Sequence, residues 1–286
     1  MDVTMEGDCA NEYSIERTWT VTDPCGNSGT CSYMIIVQDN TPPAITCPAD
    51  LTLECGDMGN DALIASWLTT ASASDTCGDV TVTIDYDSHG FSDGCGDSGD
   101  QVVTFTATDE CGLTMSCTAT IMIIDNTPPM ITCPPDVTIE CDQDPDDTMV
   151  TGTATATDNC DNMLVDLTYG DAVDPGACPQ EILLTRNWLV ADACGNVATC
   201  DQTIKVEDTT APMITCPPDV TIECDQDPDD TMVTGIATAT DKCDNMLVDP
   251  TYGDAIGPGA CPQEILRTRN WLVADACGNV ATCDQT

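Results

Sequence analysis

Basic residues are nearly missing from this 286-residue chain. Six Lys and Arg stand against 50 Asp and Glu, a formal charge of −44. That shortage excludes a phosphate-binding surface for nucleic acid and a polybasic attachment to anionic lipid. Histidine is down to one residue, His89, no close cysteine pair recurs as a zinc knuckle would, and His-based catalysis has no repeated partner. Aromatics make up 4% of residues, too few to fill one large core. No apolar run reaches the roughly eighteen residues that a membrane span requires, so no membrane insertion is expected. The opening stretch, Met1 to Glu12, is acidic and holds no apolar core of signal-peptide type. There is no Asn-x-Ser/Thr sequon, which points toward a bacterial source.

Cysteine, by contrast, is abundant at 21 residues. That density belongs to oxidising compartments, where disulfides replace missing core. A secreted or cell-surface chain is expected. Without a leader at its start, it reads as an interior stretch of a longer one.

The chain repeats itself. ITCPPDVTIECDQDPDDTMVTG begins at Ile131 and again at Ile214, and a divergent copy, ITCPADLTLEC, begins at Ile45. Half a copy opens the chain, where RTWTVTDPCGNSGTC at Arg17 matches RNWLVADACGNVATC at Arg186. Linkers recur as DNTPP at Asp39 and Asp125 and as EDTTAP at Glu207. The expected organisation is a half repeat (1–40), two full repeats (41–126 and 127–209) and a third (210–286) that stops before its last strand. Such arrays act through length and repetition.

Within the second full repeat, Val137–Glu140, Thr151–Thr157, Leu164–Tyr169, Ile182–Ala191 and Val197–Val206 read as strands, separated by Gly, Pro, Asp and Asn clusters. No segment has a helical period. Comparing copies identifies the inward face. Trp19, Phe105, Trp188 and Trp271 share one position, and Val21, Ala107, Val190 and Val273 lie two residues on. The residues between them, Thr20, Thr106, Leu189 and Leu272, face outward. Five to seven short strands in such a repeat predict tandem all-β, immunoglobulin-like sandwiches in an elongated, disulfide-rich rod.

Chain reversal assigns the cysteines. Cys141 and Cys178 fall at one end of the second repeat and Cys160 and Cys194 at the other, while Cys133 and Cys200 lie on the first and last strands. The predicted bridges are Cys133–Cys200, Cys141–Cys178 and Cys160–Cys194. By repetition they are also Cys47–Cys117, Cys55–Cys95 and Cys77–Cys111, then Cys216–Cys283, Cys224–Cys261 and Cys243–Cys277. Cys9, Cys25 and Cys31 are left without partners of this kind.

TPPMITCPPDVTIEC, the DNCDN turn and TRNWLVADACGNVATCDQTIKVEDTTAP resemble the hyalin repeat (HYR) and the HYR-like modules of secreted bacterial surface adhesins. The resemblance covers nearly the whole chain. It implies immunoglobulin-like modules, an extracellular location, adhesion or scaffolding, and no catalysis.

Acidic residues gather in turns and linkers. Asp39, Asp75 and Asp109 fall at one predicted junction between repeats, Asp125, Asp158 and Asp192 at the next, and Asp208, Asp241 and Asp275 at the third. Clustered carboxylates repel, and a hard cation removes that penalty; Ca²⁺ accepts six to eight oxygens from carboxylates, amides and carbonyls. The same residues are also good turn formers. Lys242 in DKCDN stands where the second repeat has Asn159, so the third site is either weaker or has that side chain pointing away. Thr148, Thr209 and Thr231, in DTM and DTT strings, are candidate O-glycan sites. Carboxylate pairs without a cleft do not make an enzyme.

The function expected is a structural component of an extracellular filament or stalk, calcium-stiffened, with copies of itself or adjoining repeats as partners. The alternative is an adhesin module that binds a glycan or protein receptor through a loop, for which Asp87–Gly99, with His89 and Phe91, is the candidate. A mineral-binding surface would need carboxylates spaced along strand faces, and these strands carry Thr, Val, Ala and Ile instead.

Overall fold

The computed structural model describes residues 1–9, 11–88, 91, 94–160 and 165–286; His89 and Asp161 lie outside them. The half repeat is one antiparallel sheet of β1 (Asp2–Glu6), β2 (Tyr13–Thr22) and β3 (Ser28–Val37). The first full repeat runs β4 (Ala44–Thr46), β5 (Leu51–Glu54), α1 (Asn60–Leu68), β6 (Ser72–Ser74), β7 (Val80–Asp85), β8 (Gly99–Asp109) and β9 (Thr114–Ile124). The second runs β10 (Met130–Thr132), β11 (Val137–Glu140), α2 (Thr148–Thr151), β12 (Thr155–Thr157), β13 (Val165–Pro175), β14 (Ile182–Ala191) and β15 (Val197–Glu207). The third has β16 (Met213–Thr215), α3 (Thr231–Thr234), β17 (Thr238–Thr240), β18 (Thr251–Pro258), β19 (Ile265–Ala274) and β20 (Val280–Gln285).

Each full repeat sets a two-stranded sheet beside a larger one. The larger sheets are ordered β5-β9-β8-β7, β11-β15-β14-β13 and β18-β19-β20, and the small ones are β4-β6, β10-β12 and β16-β17. The long strands pair antiparallel, but β11 runs parallel to Ile204–Glu207 of β15 and β5 parallel to the end of β9. In the third repeat, where β20 runs to Gln285, the Val220 N–H donates to the Thr286 carbonyl at 3.1 Å and the Glu223 N–H to the Gln226 Oε1 at 2.9 Å.

Alternation along the long strands builds the core, because successive side chains point to opposite faces. Phe105 and Ala107 are fully buried, and so, within 2% exposure, are Trp188, Val190, Trp271 and Val273. Leu189 and Leu272 face outward. The half repeat has no second sheet among the described residues, so its matching Trp19 is 49% exposed and stacks on Tyr33 at 5.0 Å.

Helix α1 departs from the all-strand expectation. It buries only Ile64 and Trp67, three residues apart, and Trp67 meets Phe105 edge-on at 5.6 Å while its indole N–H donates to the Ala49 carbonyl at 2.7 Å. Asp147 and Asp230 cap the single turns α2 and α3 through the amides of Met149 and Met232. The strand read over Thr151–Thr157 therefore shrinks to Thr155–Thr157.

Contacts group the chain into two units. One is Met1–Pro129 with Thr157–Leu164 and Asp192–Asn196, and the other is Met130–Ala156, Val165–Ala191 and Val197–Thr286.

Every disulfide lies inside one unit. Cys47–Cys117, Cys133–Cys200 and Cys216–Cys283 tie the start of a repeat to its last strand. The rest overturn the pairing by ends. Cys55 bonds Cys160 and Cys95 bonds Cys194, replacing Cys55–Cys95 and Cys160–Cys194. Cys141 bonds Cys243 and Cys178 bonds Cys277, replacing Cys141–Cys178 and Cys243–Cys277. Cys111 bonds Cys9 instead of Cys77, and Cys224 and Cys261 are not bonded to each other. Chain reversal orders the cysteines of one repeat only and leaves its neighbours out. In the structure the nearest thiol to a cysteine at one repeat's end belongs to a turn of the next repeat. Cys25, Cys31, Cys77, Cys224 and Cys261 carry free thiols.

Candidate metal centres at the repeat junctions

At the junction in the first unit, Asp125 follows β9, while Asp158 and Asp192 open the turns after β12 and β14. Asp125 and Asp158 each close an Asx turn, and Asp192 braces its turn from four residues away. The Asp158 Oδ1 accepts from the Cys160 amide at 2.7 Å, and the Asp125 Oδ1 accepts from the Thr127 amide at 3.2 Å. Asp192 accepts from the Asn196 amide at 2.8 Å and from its Nδ2 at 2.9 Å. The same Asn196 Nδ2 donates to the Asp125 carbonyl at 3.1 Å, which fixes the linker to the turn.

Asp125 is 8% exposed and Asp192 2%, and a carboxylate oxygen of each lies within 4.8 Å of the other. The Asp125 Oδ2 is buried without a hydrogen-bond partner. Burial pushes the Asp125 carboxyl above its ordinary value, and the charges of Asp158, Asp192 and Glu54 push it further against the opposing Thr127 bond. Two unit charges within 4.8 Å of each other repel by at least about 3.5 kcal/mol at an effective dielectric near 20.

The second unit repeats the arrangement with Asp208, Asp241 and Asp275. Asp275 accepts from the Asn279 amide and Nδ2 at 2.8 and 2.9 Å, and that Nδ2 donates to the Asp208 carbonyl at 2.9 Å. The Oδ2 atoms of Asp208 and Asp241 are buried without partners. Asp208 is raised by burial and by Asp275, Asp241 and Glu140. Lys242 turns away from this cluster and pairs with the Asp142 Oδ2 at 3.1 Å.

The remaining junction brings Asp39 and Asp75 within 4.8 Å, with the Asp109 Oδ2 again buried and unpartnered. Its turn has Leu113 where the others have Asn, so there is no amide brace to the linker. The structure brings together Asp125, Asp158 and Asp192, likewise Asp208, Asp241 and Asp275, and Asp39 with Asp75, while the Asp109 Oδ1 accepts from the Cys111 and Leu113 amides of its own turn at 2.9 and 2.8 Å. In the acidic run after Cys141, Asp142 reaches Lys242 in the next repeat's turn, whereas Asp144 closes a turn onto the Asp146 amide, Asp147 caps α2, and Asp146 pairs with Arg186.

Sequence reading missed Glu54 and Glu140. Glu54 accepts from the Asn126 amide at 2.7 Å and the Thr127 hydroxyl at 2.8 Å, and Glu140 accepts from the Thr209 amide at 3.2 Å and from its hydroxyl. The signal was available, since a Glu immediately precedes Cys55, Cys141 and Cys224 in every copy. At the Asp125 and Asp208 junctions the cysteine sulfurs near the aspartates are spent on disulfides, so the donors there are oxygen, whereas Cys77 beside Asp39 and Asp75 is a free thiol. Orphaned, buried carboxylate oxygens with more oxygen donors around them suit a hard divalent cation.

The loop named as a receptor site is described only in part. Phe91 packs against the first repeat's core with its ring 6.4 Å from that of Tyr86.

No family model matches the chain. It is 29% identical over 209 residues to hyalin of the sea urchin Lytechinus variegatus, covering 70% of this chain and 38% of hyalin. It is 30% identical over 213 residues to hyalin of Strongylocentrotus purpuratus, covering 70% of this chain and 17% of hyalin. The chain thus spans well under half the length of the curated relatives it matches. Among solved structures it is similar to protocadherin gammaB7 EC3-6 (16% identity, 96% of this chain and 84% of that one, TM-score 0.33). It is also similar to Drosophila N-cadherin EC1-4 (11%, 96% and 82%, TM-score 0.28). The hyalin matches support a hyalin-repeat-type family, and they correct the bacterial resemblance, because both relatives are animal proteins. Together with the disulfides they point to an extracellular or cell-surface repeat protein. No helix among the described residues is long and apolar enough to cross a membrane.

Proposed function

We propose, with a hyalin-repeat-type extracellular chain as the premise, that this protein is a structural component of an extracellular filament or surface stalk whose repeat junctions bind Ca²⁺. The observation that carries the reading is the orphaned, buried carboxylate oxygen of Asp125 beside Asp192, repeated at Asp208. Asp125, Asp158 and Asp192 would hold one cation, Asp208, Asp241 and Asp275 the second, and Asp39, Asp75 and Asp109 the third. Partners are adjoining repeats or further copies of the chain. The receptor-binding alternative has less support, because Phe91 is spent on packing.

Two bridges straddle each of the junctions at Asp125 and Asp208, so the cation's main effect there is to relieve carboxylate repulsion instead of arresting free bending. Thr148 and Thr231 are exposed and open to O-glycosylation, whereas the Thr209 hydroxyl already serves Glu140. An intact mass equal to the bare oxidised sequence would remove the glycan proposal. Calorimetric titration of chelator-stripped protein with CaCl₂ tests the main reading. Saturable binding that weakens in Asp125→Asn and Asp208→Asn is expected. No heat and no change in thermal stability at millimolar Ca²⁺ would refute it.

A further inference from the structure

Two bridges between repeats are built on one plan. Cys55–Cys160 and Cys141–Cys243 each join the cysteine that follows β5 or β11 to the Asp-x-Cys turn of the next repeat. The frame around them is the same. The Cys55 amide donates to the Ile124 carbonyl at 2.8 Å and the Cys141 amide to the Glu207 carbonyl at 2.9 Å. In the turns the Cys160 amide donates to Asp158 and the Cys243 amide to Asp241, both at 2.7 Å.

The residues beside the bridges differ, and they differ together. At the first bridge Gly56 follows Cys55 and Asn159 precedes Cys160. The Asn159 Nδ2 donates to the Cys55 carbonyl at 2.7 Å, and the Asp97 amide donates to the Cys160 carbonyl at 3.0 Å. Gly56 has φ +75°, and a Cβ on it would lie 2.7 Å from both the Nδ2 and the carbonyl oxygen of Asn159, so a side chain there has no room. At the second bridge Asp142 and Lys242 hold the two positions and pair at 3.1 Å, with side chains 39% and 68% exposed. Asp142 lies outside the left-handed region that Gly56 occupies. Exchanging one member spoils either contact. A lysine in place of Asn159 gives up the bond to the Cys55 carbonyl and meets no carboxylate at residue 56. An asparagine in place of Lys242 leaves the Asp142 carboxylate without its cation.

We infer that these two positions form a matched pair that decides which repeat docks on which. A glycine after the strand cysteine takes a turn with asparagine before its cysteine, and an aspartate there takes a turn with a cation. The inference goes beyond the filament and calcium readings and depends on neither. The partner of each surface is the neighbouring repeat, recognised at Gly56 by close backbone fit and at Asp142 by charge. The two contacts therefore differ in their response to salt, which screens exposed charges and leaves a close-fitted amide bond in place.

The test reads the two bridges separately in one molecule. The full chain is equilibrated in a glutathione redox buffer with EDTA at low salt, and thiols are trapped by alkylation. Peptide mapping then gives the ratio of bridged to reduced form for each pair. Lys242→Asp should lower the Cys141–Cys243 ratio by roughly 2–5-fold, the range of an exposed ion pair, and leave Cys55–Cys160 at the parent value. Asp142→Lys with Lys242→Asp should restore it. Asn159→Lys should lower the Cys55–Cys160 ratio alone. Raising NaCl to about 1 M should bring the parent Cys141–Cys243 ratio toward that of Lys242→Asp and leave Cys55–Cys160 in place. An unchanged ratio in Lys242→Asp, a reversed pair as weak as the single change, or an Asn159→Lys bridge as firm as the parent would each overturn the inference. The readout is a bridge ratio in chelator, so its failure leaves Ca²⁺ binding to be decided by titration.

Discussion

Removing Arg186 is the most informative perturbation of a repeat. Its guanidinium is 0% exposed, yet it lies on a strand inside a sandwich. Nε and Nη2 donate to the two Asp171 oxygens at 2.9 and 2.8 Å, Nη2 also reaches Asp146 at 2.6 Å, and the Tyr169 ring lies 4.0 Å from the guanidinium carbon. Breaking a buried pair by deleting one partner costs about 3–5 kcal/mol. The Asp171 side chain is 21% exposed, so water takes over part of its solvation in Arg186→Met, which places that variant near the lower limit, about 3 kcal/mol. Asp171→Asn leaves the cation buried against Asp146, whose side chain is 65% exposed, and belongs near the upper limit, about 5 kcal/mol. Replacing both, as Arg186→Met with Asp171→Leu, should return to within about 1 kcal/mol of the parent. Hydrogen exchange read by mass spectrometry on peptides from Ile182–Ala191 measures this locally. Ile265–Ala274, where Arg269 pairs with Asp254 and Asp229, serves as the internal control. If the double variant loses as much protection as the single losses added together, the pair is not the stabilising unit and the argument fails.

Three further outcomes follow from the same geometry. Cys133→Ala with Cys200→Ala opens a loop of separation 67 and should cost at most about 4 kcal/mol, since other bridges already confine the unfolded chain; a denaturant midpoint unchanged by the pair would refute the estimate. The Asp254 carboxyl is held below its ordinary value by its hydrogen bond to Arg269 and by the charges of Arg269 and Arg267. Its stabilisation is therefore present above the unfolded value near 3.8 and lost as pH falls through the lower folded value; a difference between parent and Asp254→Asn that stays flat from about pH 6 to about pH 2 would refute this. Gly152 has φ +86°, and a Cβ there would lie 2.8 Å from the Pro134 Cβ, so Gly152→Ala should cost more than about 2 kcal/mol. Gly195→Ala, at φ +90° with open space, should cost less, and equal melting losses for the two would show that the Pro134 contact is immaterial.

The strands and the inward face were legible in the sequence because each copy checks the others: the Trp188 position stays aromatic and the Val190 position apolar across the copies, while the Leu189 position alternates between Thr and Leu. Arg186 was legible too, being two residues before Trp188 and so on the same face, and a charge there implies buried partners. The fully buried Gln202, which donates to the Thr151 and Pro135 carbonyls at 2.6 and 3.0 Å, follows the same logic two residues after Cys200. Helix α1 was not legible, since two buried residues make too narrow a stripe to register as a period. The bridges between repeats were hidden because strand direction places cysteines at ends but says nothing about what abuts an end. Glu54 and Glu140 were obscured by their position beside cysteines, which drew the reading toward sulfur.

A bridge from one repeat to the next sets a timetable for synthesis. Cys95 must wait for a partner 99 residues later, and Cys55 for one 105 residues later. At about 5–20 residues per second those two thiols stay reduced for roughly 5–20 s while the next turns emerge. During that time each can pair wrongly with the other or with the free Cys77 that lies between them. The secretory machinery that makes this chain must therefore keep a young Cys55–Cys95 bond reversible, so that isomerisation, and not the speed of first oxidation, decides the final pairing.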